Sequence, residues 1–147
     1  MGKTILSFIL AAGFLAQVPV AAAADDIAQF KRVAGTVFVE RDGKRATAQA
    51  GERVQQSDVI VTGSDGAAGL TFADNSLLSV GPNSTLSLDR FEFNSTTHEG
   101  RFDSSLKKGT LAVVSGKIVK QTPGAMIVRT PSAILGARGT EFVVRAD

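Results

Sequence analysis

Closely spaced turn signals restrict the fold of this chain more than any other feature of its sequence. Glycine, proline, asparagine and aspartate residues separate short apolar segments throughout the part after residue 24. The signals are Asp42-Gly43, Ala50-Gly51, Thr62-Gly63, Asp65-Gly66, Asp74-Asn75, Gly81-Pro82-Asn83, Glu99-Gly100, Lys108-Gly109, Gly116, Pro123-Gly124 and Gly136. These residue types favour turns because they tolerate positive φ, fix φ or bond to their own backbone. Such frequent turns between short apolar runs are typical of an all-β domain.

Periodicity within the segments also indicates strands. Ala68, Leu70 and Phe72 alternate with smaller or polar residues, and residues 33–39 and 85–89 alternate in the same way. Residues 33–39 therefore read as one strand with Gly35 on the face of its valines. Four short continuous apolar runs predict strands covered on both faces; they are residues 59–61, 111–114, 126–128 and 142–144.

Helices are not expected after Ile27, because no dozen-residue window has helical apolar spacing free of glycine and proline. One short helical turn is a candidate before Phe30, capped by Asp25 or Asp26. The turn spacing predicts roughly ten to twelve short strands in a single all-β domain. Pattern alone leaves a β-sandwich, a jelly roll and a short solenoid open.

The first 24 residues have the plan of a secretory signal peptide. Lys3 precedes an apolar run over residues 5–16, and Ala22-Ala23-Ala24 offers small residues before the first acidic ones. An uncleaved anchor is the alternative, but the run is shorter than the roughly 20 residues of a spanning helix. We expect cleavage, a domain over residues 25–147 with no membrane span, and a periplasmic or secreted location.

Composition narrows the possible partners. The chain has no cysteine, tryptophan or tyrosine, so disulfides, a lipid-modified cysteine and stacking on sugars by those two aromatics are excluded. Removing Lys3 leaves a net charge of about +1, which gives no indication of nucleic-acid binding. Residues 25–99 carry 7 basic and 11 acidic side chains, and residues 100–147 carry 8 and 3. These halves either attract each other or form a charged docking surface.

Residues for catalysis or for a metal site are missing. His98 is the single histidine, in a polar loop predicted to be the tip of a long hairpin between Phe91 and Phe102, and no cysteine exists to complete a site. Three acids lie beside turn signals: Asp58, Asp65 and Asp74. Short carboxylates at turns accept backbone hydrogen bonds, so we interpret them as turn residues rather than as a carboxylate pair or a calcium site. We predict a non-enzyme without cofactor or metal.

Residues 130–140 combine backbone specialists with one charge and predict a structural corner between two strands. Pro131 fixes its own φ and biases Thr130 to an extended shape, and Gly136 and Gly139 permit angles that side chains forbid. Arg138 is the only ionisable side chain there. We interpret it as a clamp on loop carbonyls or on a carboxylate such as Glu141, the alternative being contact with a partner's acid. The predicted corner comprises Thr130, Pro131, Gly136, Arg138, Gly139 and Thr140.

Taken in order, several of these motifs resemble the FecR domain. They are residues 35–39 (GTVFV), Ala50-Gly51, residues 58–63 (DVIVTG), residues 67–76 (AAGLTFADNS), Leu86 and Leu88, residues 109–111 (GTL), and the Thr-Pro-Ser-Ala to Arg-Gly-Thr-Glu-Phe stretch of residues 130–142. The resemblance implies a solenoid-like stack of short strands. Founding members of the family are inner-membrane regulators of iron uptake that control a sigma factor and read an outer-membrane receptor. An export signal leaves no room for a cytoplasmic sigma-control segment, and the receptor-docking subdomain is missing after residues 142–144, so sigma-factor control is not expected here.

Two functions remain open. The first is a signalling-associated module of the cell envelope that binds another envelope protein through a strand edge or a charged surface. The second is a periplasmic domain that binds a small ligand or a glycan fragment in a groove on one sheet face. Because tryptophan and tyrosine are absent, the first is favoured. The identity of the partner is not encoded in any motif.

Overall fold

The computed structural model of the protein describes Gly2 and residues 25–147. The predicted signal peptide, residues 1–24, lies outside the described residues apart from Gly2. None of the described helices is long and apolar enough to cross a membrane.

The described residues form twelve strands and one short helix, which confirms the all-β prediction and the expected strand number. The elements are β1 (Asp26–Ala34), β2 (Val37–Arg41), β3 (Lys44–Thr47), β4 (Arg53–Gln55), β5 (Val59–Thr62), β6 (Ala67–Phe72), β7 (Leu77–Val80), β8 (Thr85–Phe93), β9 (Gly100–Val114), α1 (Lys117–Gln121), β10 (Met126–Arg129), β11 (Ile134–Ala137) and β12 (Glu141–Ala146).

The long strand β9 joins two sheets into one curled surface. Its first half lies between β8 and β10 in sheet I, whose order is β3-β2-β5-β8-β9-β10-β11. Its second half lies between β7 and β12 in sheet II, whose order is β4-β1-β6-β7-β9-β12. All these pairings are antiparallel except β9 with β10.

Successive strands build a stack of layers, each with one strand in either sheet. The strand pairs β3/β4, β2/β1, β5/β6 and β8/β7 are followed by the two halves of β9 and then by β10/β12. The inward side chains of both sheets belong to one hydrophobic core, so the solenoid-like stack is at the same time a two-sheet sandwich. Among the described residues, β11 alone forms a seventh layer, and sheet II has no strand opposite it.

Phenylalanines from both sheets fill the middle of the core. Phe72 of β6 contacts Phe102 of β9 with ring centroids 4.5 Å apart, and Phe91 of β8 lies 5.1 Å from Phe102. Tilted and edge-on pairs of this kind stabilise a core beyond their buried area. Alternation of buried and half-buried residues in β6 and in the first half of β8 follows the predicted period of two.

The points where the chain changes sheet form a column of hydrogen-bonded corners. The Gly63 N–H donates to Thr36 O at 2.9 Å, and the Asn83 N–H donates to Gly63 O at 3.0 Å. One layer further along, the Gly81 N–H donates to Thr110 O at 2.9 Å. We call these stacked turns the corner column, and they account for much of the regular spacing of the turn signals.

Residues 33–39 are not one strand, contrary to the alternation that they show. The chain turns from sheet II to sheet I at Gly35, whose φ is +62°. A Cβ at Gly35 would lie 2.1 Å from the carbonyl oxygen of Asp65 in the next corner. Valines on the two sides of Gly35 therefore keep an apparent period of two while belonging to two different strands.

Both expectations about helices are wrong. The segment before Phe30 belongs to strand β1, which pairs with β4 and β6 and buries Ile27 and Phe30 in the core. The five-residue helix α1 was not expected. It buries Ile118 and Val119, and it is too short to display helical periodicity in the sequence.

The continuous apolar runs are not covered on both faces. Strands β5 and β10 alternate between buried and half-buried residues, and Val143 in β12 is 70% exposed. Antiparallel sheets commonly leave one face open to solvent, and the outer faces of sheets I and II are open in this way among the described residues.

Candidate functional site

Three of the four exposed large hydrophobic side chains among the described residues lie on the last two strands, β11 and β12, and the fourth lies on β7. The four are Leu77 (45% exposed), Ile134 (71%), Leu135 (39%) and Val143 (70%). Leu77 on β7 and Val143 on β12 share the outer face of sheet II. Leu135 on β11 faces inward beside the buried Ala137, and Ile134 on β11 lies on the outer face of sheet I. Single exposed apolar residues are ordinary, but a group at one end of a domain marks a candidate contact surface.

Strand β12 presents a free edge among the described residues, since it pairs with β9 alone. The Ser115 N–H donates to Thr140 O at 2.8 Å, which fixes the alternation of the ladder. In an antiparallel ladder every second residue directs both backbone groups to its neighbour. The backbone N–H and C=O groups of Glu141, Val143 and Arg145 therefore point away from β9.

The outer face of sheet II beside this edge carries small, uncharged side chains. Strand register places one row across Val143, Ala112, Ser79 and Gly69, and a second row across Glu141, Val114, Leu77 and Thr71. A depression of about 410 Å³ lies over the strands β7, β9 and β12. Apart from Glu141 at the rim, no charged side chain interrupts these two rows.

A second concavity, which we call the end groove, lies between β11 and β12. Leu135 and Ala137 line it from β11, and Phe142 and Val144 line it from β12. Its volume is about 230 Å³. The groove exists because sheet I extends to β11 while sheet II, among the described residues, ends at β12.

The predicted structural corner, residues 130–140, contains strand β11. Thr130 closes the turn between β10 and β11, with the Thr130 N–H donating to Ala133 O at 2.8 Å and its Oγ1 accepting from the Ala133 N–H at 3.0 Å. Pro131 lies within that turn, and Gly136 lies in β11 opposite Ile127. Only residues 138–140 cross from one sheet to the other.

The two glycines of the predicted corner do not need to be glycine. Neither Gly136 nor Gly139 has a positive φ, and a Cβ built on either would have no neighbour within 4 Å. The prediction that Gly136 and Gly139 adopt backbone angles that side chains forbid is therefore wrong.

Arg138 does not act as the expected clamp. Its side chain is exposed, and it makes no hydrogen bond or ion pair with any of the described residues, Glu141 included. It lines the end groove together with Gly139. On its other side it borders a concavity shared with Lys120 and Pro123. The guanidinium is therefore available at the end of the stack.

The three turn acids lie on different turns of the stack, and the structure does not bring them together. Asp58 is 1% exposed and receives two hydrogen bonds from Arg41, from Nε at 2.8 Å and from Nη2 at 2.6 Å. The Gln55 N–H donates to Asp58 Oδ2 at 2.8 Å. The hydrogen bond with Asp58 raises the pKa of Arg41 above its ordinary value.

Asp74 is completely buried and joins the β6–β7 turn to helix α1. Its carboxylate accepts from the Ser76 N–H at 3.0 Å, from Ser76 Oγ at 2.8 Å and from the Ile118 N–H at 3.3 Å. Asp65 is exposed and accepts from the Thr36 N–H at 3.2 Å. This backbone hydrogen bond lowers the pKa of Asp65 below its ordinary value.

His98 lies in the β8–β9 turn, where its φ is +63° and its ring stacks on Phe93 at 6.0 Å between centroids. The part of the chain that the structure describes contains no group of three His, Asp or Glu side chains that could hold a metal ion. The three predicted turn acids, Asp58, Asp65 and Asp74, accept hydrogen bonds at turns and corners instead.

The exposed residues at the end of the stack were not identified from the sequence. Val143 was placed in a covered strand because it lies in an apolar run. The signal that could have identified it is the alternation of Glu141, Val143 and Arg145. Two charges on the same side of one strand indicate a face turned to solvent.

Comparison with known proteins supports the resemblance. A family model described as FecR protein matches residues 58–147. The match extends from β5 to β12 and includes the end groove, while the resembling residues 35–51 lie before it. No curated protein and no solved structure matches the chain.

Proposed function

The chain belongs to the FecR family, and from that premise we propose that it is a non-catalytic, signalling-associated interaction module of the bacterial cell envelope. It binds another envelope protein through the end of the stack formed by β11, β12 and the outer face of sheet II. The observation that carries the proposal is the exposure of three large hydrophobic side chains on this surface: Leu135 on β11, Val143 on β12 and Leu77 on the outer face of sheet II.

Export is part of the proposal. The charge at Lys3, the apolar run of residues 5–16 and the small residues before Asp25 support removal of a signal peptide. The domain over residues 25–147 then acts in the periplasm or outside the cell. A role in the envelope also agrees with the resemblance to regulators that act across the inner membrane.

Binding of a partner protein would explain both the free edge of β12 and the exposed apolar side chains beside it. A free strand edge offers backbone groups that accept another strand, and natural proteins usually protect such edges. Adjacent apolar side chains add burial when a partner covers them, at about 25 cal/mol per Å². Val143 belongs to both features, because it is 70% exposed and its backbone points away from β9.

The basic side chains near the proposed contact surface indicate the charge of the partner. Residues 100–147 carry 8 basic and 3 acidic side chains, and among the basic ones Arg138 lines the end groove. Arg145 lies on the edge strand itself. An acidic partner surface is therefore favoured, and binding weakens as salt screens exposed charges.

A small ligand or glycan fragment is less well supported as the binding partner. The depression of about 410 Å³ on the outer face of sheet II falls within the roughly 300 to 1,000 Å³ of most ligand pockets, but Ser79 and Glu141 are the only polar side chains of the described residues that line it. The end groove, at about 230 Å³, is smaller than that range. Its lining is mainly aliphatic, with Phe142 as the one aromatic side chain. Thermal shift measurements with cell-wall fragments test this alternative, because a ligand that binds the folded state raises its melting temperature.

Crosslinking in intact cells tests the proposed interaction. We expect the exported protein to trap a discrete envelope protein, with a yield that falls as salt increases. Val143→Asp and Leu135→Asp should reduce the yield because each places a charge on the proposed surface, while Thr47→Asp on β3, at the other end of the stack, should not. Recovery of the monomer alone at every salt concentration would argue against the proposal.

A further inference from the structure

We propose, on the basis of the proposed function, that the end groove accepts one extended peptide segment of an envelope partner, which adds to β12 as a new strand of sheet II. The juxtaposition that carries this inference is the free backbone edge of β12 beside the groove under β11. The segment would complete the seventh layer of the stack.

The shape of the stack provides the position for a strand. Each earlier layer has one strand in sheet I and one in sheet II, whereas β11 has no counterpart in sheet II among the described residues. Leu135 on β11 is 39% exposed as a result, although its neighbour Ala137 is buried. A strand paired with β12 would lie opposite β11 and cover Leu135.

The edge of β12 supplies the hydrogen bonds. Glu141, Val143 and Arg145 each direct an N–H and a C=O away from β9, as the alternation fixed by the hydrogen bond from Ser115 to Thr140 requires. These groups can pair with an added strand in either direction. Main-chain hydrogen bonds of this kind provide affinity in strand addition, and side-chain pockets provide specificity.

Side chains along the edge define the chemistry of the segment. Its inward residues must be apolar, because they contact Leu135 and Phe142 in the end groove. Its outward residues meet Glu141, Val143 and Arg145 in turn, so a basic, an apolar and an acidic residue at alternate positions match them. Arg145 now pairs with Asp147 at 3.6 Å, and both side chains are highly exposed, so an incoming acid can replace that contact.

A second copy of the chain would match the charges of the β12 edge, but it would overlap with β11. Antiparallel pairing of two β12 strands about Val143 would place Glu141 of one copy opposite Arg145 of the other. The sheet I strand opposite the added β12 would then be β10 of the second copy. That position is already occupied by β11, so the groove admits a single strand and excludes a second two-sheet stack.

The probe for this inference is a fluorescein-labelled synthetic peptide of residues 140–147, whose alternation and charges match the antiparallel edge. We expect saturable binding to the wild-type protein by fluorescence polarisation and none with a scrambled peptide. Val143→Pro removes a free-edge N–H without breaking the β9–β12 ladder. It should weaken peptide binding about tenfold or more, since a buried acceptor on the peptide loses its donor.

Thr47→Pro is the matched control. The Ala48 N–H donates to Val37 O at 2.9 Å, so the N–H of Thr47 also points to a free edge, on β3 at the opposite end of the stack. We expect this variant to bind the peptide like the wild type, and melting curves should show that both proline variants remain folded. Absence of peptide binding, or equal loss in both folded variants, would overturn the inference.

Two further results separate this inference from the proposed function. A wild-type dimer in sedimentation analysis that Val143→Pro disrupts identifies a second copy as the occupant and overturns the single-strand model. If cell crosslinking traps an envelope partner equally well with Val143→Pro, the proposed function stands and strand addition is wrong. If the peptide binds as expected but no envelope partner is trapped, strand addition stands and the proposed function is wrong.

Discussion

Gly109 lies directly against Ser84 in the corner column. A Cβ on Gly109 would come within 2.0 Å of Ser84 Oγ and 2.5 Å of Ser84 Cα, and the φ of Gly109 is +99°. The same hydroxyl accepts from the Thr110 N–H at 3.0 Å. Strand β9 passes from sheet I to sheet II at this point, so the close contact joins both sheets at one corner.

Gly109→Ala should destabilise the protein by about 2 to 4 kcal/mol, because the new methyl group overlaps Ser84 and the backbone angle is strained for alanine. Thermal and urea unfolding measure the change. Gly139→Ala is the control and should change the stability by about 0.5 kcal/mol or less, since its Cβ meets no neighbour. Equal melting temperatures for the two variants would contradict the close contact at Gly109.

Asp74→Ala should cost about 2 to 4 kcal/mol of stability. The substitution leaves the Ser76 hydroxyl and the backbone N–H groups of Ser76 and Ile118 buried without their acceptor. Asp74→Asn should recover part of the loss, because an amide oxygen can still accept from the turn. Asp89→Ala provides an exposed control, since the Asp89 carboxylate accepts hydrogen bonds from the hydroxyl groups of Ser87 and Ser105 at the surface. Chemical unfolding that ranks Asp89→Ala as the worse variant would refute this assignment.

Arg41→Met should destabilise the fold by about 1 to 3 kcal/mol, because it leaves the carboxylate of Asp58 buried without its charged partner. The side chain of Arg41 is 41% exposed, so water moderates the loss. Adding Asp58→Asn to Arg41→Met should restore part of the stability, which a double-mutant cycle measures. Arg90→Met removes the exposed pair with Glu92 and should change the stability by about 0.5 kcal/mol or less. Additive effects of the Arg41 and Asp58 substitutions would show that the two groups do not interact.

Acid should remove the stabilising effect of the Asp65 carboxylate. Its pKa is lowered from the ordinary 3.8 by the hydrogen bond from the Thr36 N–H. A carboxylate whose pKa is lower in the folded than in the unfolded state stabilises the folded protein. This contribution is complete above the pKa of the unfolded state, and it is lost as the pH falls through the pKa of the folded state. The melting temperatures of wild type and Asp65→Asn should differ most near about pH 7 and converge below 3.8. A difference that stays constant down to about pH 2 would exclude this role.

Local patterns predicted several parts of the fold correctly. Alternation predicted β6 and the first half of β8, and the polar loop after Phe91 was expected at the tip of a hairpin, where the structure places the β8–β9 turn. Asp42-Gly43 forms a tight turn with φ angles of +51° and +75°, as its residue types indicate. These features depend on neighbouring residues, so the sequence contains their cause.

The incorrect predictions concern features that depend on packing between distant parts of the chain. The period-two pattern of residues 33–39 is the same whether Gly35 lies within a strand or at a corner, and only Asp65 in the next layer selects the corner. Helix α1 starts where Asp74, more than forty residues earlier in the chain, accepts from Ile118. Neither relationship leaves a periodic signal.

The sequence by itself determined the strand-rich class, the turn chemistry and the family resemblance, because each arises from residue types at short spacing. Only the tertiary structure decided which glycines are essential and which apolar residues are exposed. Gly109 requires the absence of a side chain because Ser84 approaches it, whereas Gly139 has no such neighbour. Val143 is exposed because it lies on the open outer face of sheet II at its last described strand, and the order of strands in a sheet is fixed by contacts between distant parts of the chain.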